Sequence, residues 1–90
     1  MREVSYTTAF RRDYKRLSRS GQADLTLLEK VVAHLANDQP LEARHRDHAL
    51  TGDWAGYREC HVKPDWLLVY KLTPGQLFLA RSGSHADLFG

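Results

Sequence analysis

His48, His61 and His85 come from three separate segments of the chain, and Asp65 and Arg81 each lie within four residues of one of them. This set contains the groups needed to cut RNA without a metal. A 2′-hydroxyl must lose its proton, the charge of the pentacovalent phosphate must be neutralised, and the 5′-oxygen must leave protonated. Imidazole suits both proton transfers because its unperturbed pKa, about 6.5, lies near working pH. A guanidinium suits the phosphate because its planar fork donates to two oxygens at once. Trp66 offers a surface on which an unstacked base can lie, and Arg58 and Glu59 add polar reach beside His61.

Each of these residues also has a purely structural use. Trp66 fits a core, Asp65 after Pro64 fits a turn, Arg58 fits an ion pair, and His61, alternating with Glu59 and Tyr57, fits an exposed strand. His45 and His48 stand three apart, which invites a metal, yet no cysteine lies near enough to complete a structural zinc set. Neither metal nor cofactor is expected. His34 reads as structural or merely exposed, and Cys60, inside a strand-like run, as a small inert thiol.

The elements that must hold these groups follow from periodicity. Tyr57 to Lys71, YRECHVKPDWLLVYK, places a polar strand, a Pro-centred turn and an apolar strand in succession. Gly56–Val62, Trp66–Leu72 and Gln76–Ser82 are predicted as three strands, the middle one apolar on both faces and therefore central. Thr73-Pro74-Gly75-Gln76 has Pro and Gly where a type II turn wants them. A two-residue hairpin there sets Leu68 opposite Arg81 and Trp66 opposite Gly83, with Trp66 and Arg81 on one face.

Upstream, Val4 to Thr7 reads as a short strand, and Thr7 or Thr8 caps a helix over Ala9–Arg19 whose Phe10, Tyr14 and Leu17 share a face. A second helix is predicted from about Ala23 to Asn37, striped by Leu25, Leu28, Val32 and Leu35 and widened by Leu27 and Val31. The link is short, so the two helices should run antiparallel. Leu41–Asp53 reads as a loop with a turn of strand at Ala49 and Leu50. The tail from Ser84 to Gly90 carries Leu88 and Phe89 as apolar groups with which to dock.

Ninety residues bound a single domain over 1–90 with one core. No apolar run approaches the roughly 20 residues of a membrane span, and the N-terminal stretch lacks the apolar centre of a signal peptide. With a lone Cys60, the expectation is a cytoplasmic chain without disulfides or membrane contact. Net charge is only +2, but Arg11, Arg12, Lys15, Arg16 and Arg19 crowd one short segment. Such a cluster is either a polyanion-binding surface or a solvated helix face.

DHALTGDWAGYRECHVKPDWLLVYKL, followed by ARSGSHADLFG, resembles the YafQ family of bacterial type II toxins, within the RelE/ParE superfamily. The similarity is dense from Asp47 to Gly90. It implies an α+β fold with two N-terminal helices packed on a small, mostly antiparallel sheet, the RelE-like fold. The implied activity is cleavage of messenger RNA on the ribosome, leaving a 2′,3′-cyclic phosphate or its opened form and a 5′-hydroxyl. A cognate antitoxin would silence the toxin, in an assembly of two toxins with two antitoxins, while the toxin alone would be a monomer. By the same resemblance His48 is the general base, His85 the general acid, His61 and Asp65 further catalytic residues and Arg81 the phosphate-binding cation. Trp66 and Phe89 position RNA, and Glu59 stands where a relative has an aspartate. The other reading of the same fold is a toxin that blocks the ribosome or a topoisomerase without cutting.

Overall fold

The computed structural model describes all 90 residues. Strand β1 (Glu3–Tyr6) leads into helix α1 (Thr8–Ser20), which starts where the Thr7 side chain accepts a hydrogen bond from the Phe10 N–H. Gly21, at φ 70°, closes the helix in the left-handed conformation that glycine adopts most easily. Helix α2 (Leu25–Ala36) begins one residue after Asp24, whose carboxylate caps it through the Thr26 N–H. Asp24 therefore acts as the cap itself. Leu28, Val31 and Leu35 of α2 pack with Phe10 of α1 onto the sheet. No helix is long and apolar enough to cross a membrane.

The sheet has the order β1-β5-β4-β3-β2, with β2 at His48–Ala49, β3 at Arg58–Lys63, β4 at Trp66–Leu72 and β5 at Gln76–Gly83. Only β1 and β5 run parallel; the other three pairings are antiparallel. The apolar middle strand β4 is central as its composition requires, and Leu67, Leu68, Val69 and Tyr70 are wholly buried. Cys60, Val62, Leu68, Tyr70, Leu77 and Leu79 carry the core beneath the helices. The last residues form a short helix α3 (His85–Phe89), where a tail docking through Leu88 and Phe89 was expected. Ser84 and Asp87 form a capping box at its start.

Two expectations about the β4–β5 hairpin fail. Gly75 does not take the positive φ that a type II turn demands at its position. The two-residue loop closes instead through reciprocal backbone bonds between Thr73 and Gln76. The predicted register holds next to the turn, with Leu72 opposite Leu77 and Tyr70 opposite Leu79, and then slips. Ala80 is skipped as a β-bulge, so Val69 faces Arg81 and Leu68 faces Ser82. One extra residue turns every later side chain of β5 to the opposite face. Trp66 consequently shares its face with Ser82, to whose Oγ its Nε1 donates at 3.0 Å, and not with Arg81.

Candidate active site

The bulge completes a row of side chains across the sheet. His48 pairs with Glu59, Glu59 with Val69, and Val69 with Arg81, so all four project from the face opposite the helices. The next row holds His61, Leu67 and Gly83. A polar strand edge, a central apolar strand and a bulged strand thus bring an imidazole, a carboxylate and a guanidinium into one line.

Glu59 is only 4% exposed, and its Oε1 lies 3.7 Å from Nε2 of His48 and 3.6 Å from Nε2 of His61. The other ring nitrogens contact carbonyls: His48 Nδ1 lies 3.1 Å from the Ala49 oxygen, and His61 Nδ1 lies 3.1 Å from the Pro64 oxygen. A carbonyl only accepts, so each Nδ1 carries a proton and donates. The other nitrogen of each ring, Nε2, faces Glu59 Oε1.

His85, the first residue of α3, lies with its ring centroid 6.4 Å from that of His61 and 5.8 Å from that of Phe89. Its backbone N–H donates to Asp65 Oδ1 at 3.3 Å, so the turn aspartate tethers the start of α3 to the β3–β4 loop. Phe89 meets Trp54 edge to face at 6.5 Å, and Trp54 meets Tyr57 the same way at 5.3 Å. Phe89 thus links His85 to this aromatic pair.

Arg81 does not stand free. Its Nε donates to Asp13 Oδ2 at 2.7 Å and its Nη2 to Asp13 Oδ1 at 3.1 Å, while Nη1 has no protein partner. Asp13 also accepts the Ser82 N–H and a bond from Arg16, and it is 2% exposed. Burial pushes this carboxyl up, but the bonds from Arg81, Ser82 and Arg16 prevail and hold it below the usual carboxylate range. Arg16 extends the clamp to the Ser82 carbonyl and to Asp87 of α3. At the other end of the row, Asp47 accepts from the Tyr70 hydroxyl and from Arg58 Nε, which anchors the residue next to His48. No three His, Cys, Asp or Glu side chains converge to hold a metal ion.

The family model for YafQ, a bacterial toxin of type II toxin–antitoxin systems, matches residues 2–90. The chain belongs to the YafQ family. The mRNA interferase toxin YafQ of Escherichia coli K12 is 42% identical over 90 residues, covering 99% of this chain and 97% of that one. A chain in the crystal structure of the E. coli DinJ–YafQ complex superposes with a TM-score of 0.89 at 42% identity, both chains being fully covered. A metal-bound toxin from Helicobacter pylori gives 0.91 at 45% identity, covering 99% of this chain and 100% of that one. The fold is therefore the RelE-like one that the YafQ resemblance implies.

Within this YafQ-family frame, the structure gathers His48, Glu59, His61, Asp65, Arg81, His85 and Phe89 around one face and leaves Trp66 out. Trp66 is 7% exposed, in the core cluster, with its only polar atom bonded to Ser82. A base cannot stack on it without displacing core, because the indole is packed in the core cluster with Ser82 at its nitrogen edge. Trp54, half-buried beside Phe89, is the accessible indole. Glu59, expected at a substrate contact, lies beneath two histidines. Asp13 had no signal of its own, since it looked like a helix surface residue, and Asp47, although it opens the family-like run, was given no role there. Cys60 is buried and its thiol is pushed up to about 12 by desolvation, which fits an inert packing role.

Proposed function

We propose that this chain is an mRNA interferase: an endoribonuclease toxin that cuts messenger RNA in the decoding site of the translating ribosome, by metal-independent acid–base catalysis. The observation that carries the reading is that His48, His61 and Arg81 fall on one face of the sheet, with His85 beside His61. The activity named for the E. coli relative supports it.

In this mechanism His48 Nε2 takes the proton of the 2′-hydroxyl as that oxygen attacks phosphorus. Arg81 donates from Nη1 to a non-bridging oxygen while Asp13 keeps its fork in place. His85 gives a proton to the departing 5′-oxygen, the P–O5′ bond breaks, and the products are a 2′,3′-cyclic phosphate and a 5′-hydroxyl. Glu59 balances the charge on whichever imidazole has just taken a proton. Asp65 orients His85 through its backbone, and His61 fills the space between base and acid. Phe89 and Trp54 supply stacking surface, Arg58 reaches the strand beside Asp47, and Trp66 supports the face from within.

The E. coli complexes with DinJ support a cognate antitoxin as partner here. A groove of about 640 Å³ stays open between α1, α2 and β1. Val4, Tyr6 and Tyr14 are exposed along it, and Arg11 and Lys15 rim it. An amphipathic antitoxin segment with an acidic flank fits that surface, with Arg19 continuing the basic side. In this reading 1–90 is one toxin domain, monomeric alone, cytoplasmic, and joined with the antitoxin as two toxins and two antitoxins.

The test adds purified protein to a reconstituted translation reaction on a defined message, with and without ribosomes and with and without chelator, and maps new 5′ ends. Cuts at a fixed codon position that require ribosomes and survive chelation are expected. Halted translation with intact message would overturn the nuclease reading in favour of a blocking toxin.

A further inference from the structure

A second concentration of cations lies around the β3 edge from the histidine face. Between α2 and the end of β3 there is a cleft of about 320 Å³, lined by Lys30 and His34 of α2, by Arg44 and His45 of the turn that precedes β2, and by His61 and Lys63 of β3. Buried Val31 and Val62 lie at its base. His61 belongs both to this lining and to the catalytic face, so the two regions are continuous.

The charge in the cleft is largely uncommitted. Lys30 and Lys63 make no ion pair, and the pair between Arg44 and Glu42 is an exposed one at 3.4 Å. Glu42 is the one carboxylate in the lining. Asp24, at the α2 start, is held low chiefly by hydrogen bonds from Thr26, with Lys63 and Lys30 adding a weaker attraction. His45 is also fixed in place. It donates from Nδ1 to the carbonyl of His61 at 2.6 Å, at a point where the β3 edge has no neighbouring strand, and its Nε2 stays available. Lysines left without partners above an apolar base match a polyanion that also carries flat rings, and a single RNA strand is such a ligand.

We propose that this cleft is a subsite for single-stranded RNA beside the scissile bond, with a phosphodiester on Lys30 and Lys63 and the adjoining nucleotide against His34 and His45. Its place next to the cut rests on the endoribonuclease reading above. RNA is favoured over a protein segment because the lining is cationic and joins the catalytic face, whereas the apolar surface of the molecule lies in the groove between α1 and α2.

The test uses a fluorescently labelled, single-stranded oligoribonucleotide and the His85→Ala protein, in which cleavage is expected to be slowed, and compares it with the same protein carrying Lys30→Gln and Lys63→Gln. Both lysines are exposed, so the fold is not at stake. Affinity should fall about tenfold, and the slope of log K against log salt should shrink by about 0.7, the contribution of one phosphate contact on a single strand. Unchanged affinity and slope would overturn the subsite, even where the wild type cuts message. A reduced slope in a protein whose wild type cuts nothing would keep the cleft as an RNA site and remove the nuclease reading instead. Unchanged RNA binding with lost capture of the co-expressed cognate antitoxin would assign the cleft to a protein partner and overturn the proposal.

Discussion

Asp13 holds the guanidinium of Arg81 across 68 residues of sequence, with Nε at 2.7 Å and Nη2 at 3.1 Å. The same carboxylate accepts the Ser82 N–H just beyond the β5 bulge. One buried side chain on α1 thus fixes both the backbone that the bulge displaces and the direction in which Arg81 points.

Replacing Asp13 by Asn should damage stability and catalysis together. Asparagine keeps the size but removes the charge opposite Arg81 and Arg16, and breaking a buried pair from one side costs about 3 kcal/mol. For a domain of this size that lowers Tm by about 15 °C. Cleavage by the folded fraction should drop at least tenfold, because Arg81 loses its fixed fork. Thermal melts beside single-turnover cleavage below the lowered Tm separate the two effects; a normal rate per folded molecule would remove Asp13 from the positioning of Arg81.

The same carboxyl gives an acid-side prediction. Its folded pKa is depressed, so its stabilisation is present above the unfolded value of about 3.9 and is lost as pH falls through the folded value. Asp87, held low by the Ser84 backbone and side chain and more weakly by Arg16, adds in the same direction. Denaturant midpoints should fall steadily below about pH 4 in the wild type and more shallowly in the D13N protein. Parallel curves would assign acid sensitivity to other groups.

How much of this was legible in the sequence depended on whether the signal was local. Helices striped by Phe10 and Leu17 or by Leu28 and Leu35, and an apolar central strand at Leu67–Tyr70, come from periodicities that a short window contains. The histidines, Asp65 and Arg81 were legible as residue types, and the family resemblance gave them roles. The β5 bulge was not legible, because Ala80 looks like any strand residue and its extra place is decided by Asp13 and Thr7 gripping the strand edge. From that one slip followed the misplacing of Trp66 beside Arg81. Trp54 lay in view within GDWAG, but only its contact with Phe89 marks it as part of the site.

His48→Ala and His85→Ala should each reduce cleavage by about 10² to 10⁴, the usual contribution of a positioned acid or base. Neither side chain supports the core, and His48 is exposed, so melting temperatures should stay near wild type. Mapped 5′ ends from both variants at wild-type yield would sink the two-histidine mechanism.

Glu59→Gln tests the carboxylate between the histidines. Glutamine preserves the buried shape and loses the negative charge 3.7 Å from His48 Nε2 and 3.6 Å from His61 Nε2. The imidazolium formed during reaction then has no counter-charge, and kcat should fall about tenfold to a hundredfold with KM little changed. Glu59→Asp should recover part of the rate, being charged but a methylene shorter. A rise in KM alone would return Glu59 to the substrate-contact role expected from the sequence.

Tyr70 supplies an alkaline counterpart to the acid limit and a test of how His48 is held. Its hydroxyl is pushed up by burial and by its bond to Asp47, so the neutral form is favoured in the fold. A raised folded pKa means stability present below the unfolded value of about 10 and lost as pH rises above it. Tyr70→Phe should cost about 1 kcal/mol at neutral pH, through the lost hydrogen bond. It should also flatten the decline above about pH 10, leaving the part contributed by Cys60, whose thiol is likewise raised by burial. Because Asp47 precedes His48, the same variant should cut more slowly at neutral pH, where it is still folded. Denaturant titrations at neutral and alkaline pH, with cleavage assayed alongside, would show both effects; a stability change without any loss of cleavage would mean that His48 is held by its own strand pairing with Glu59 alone.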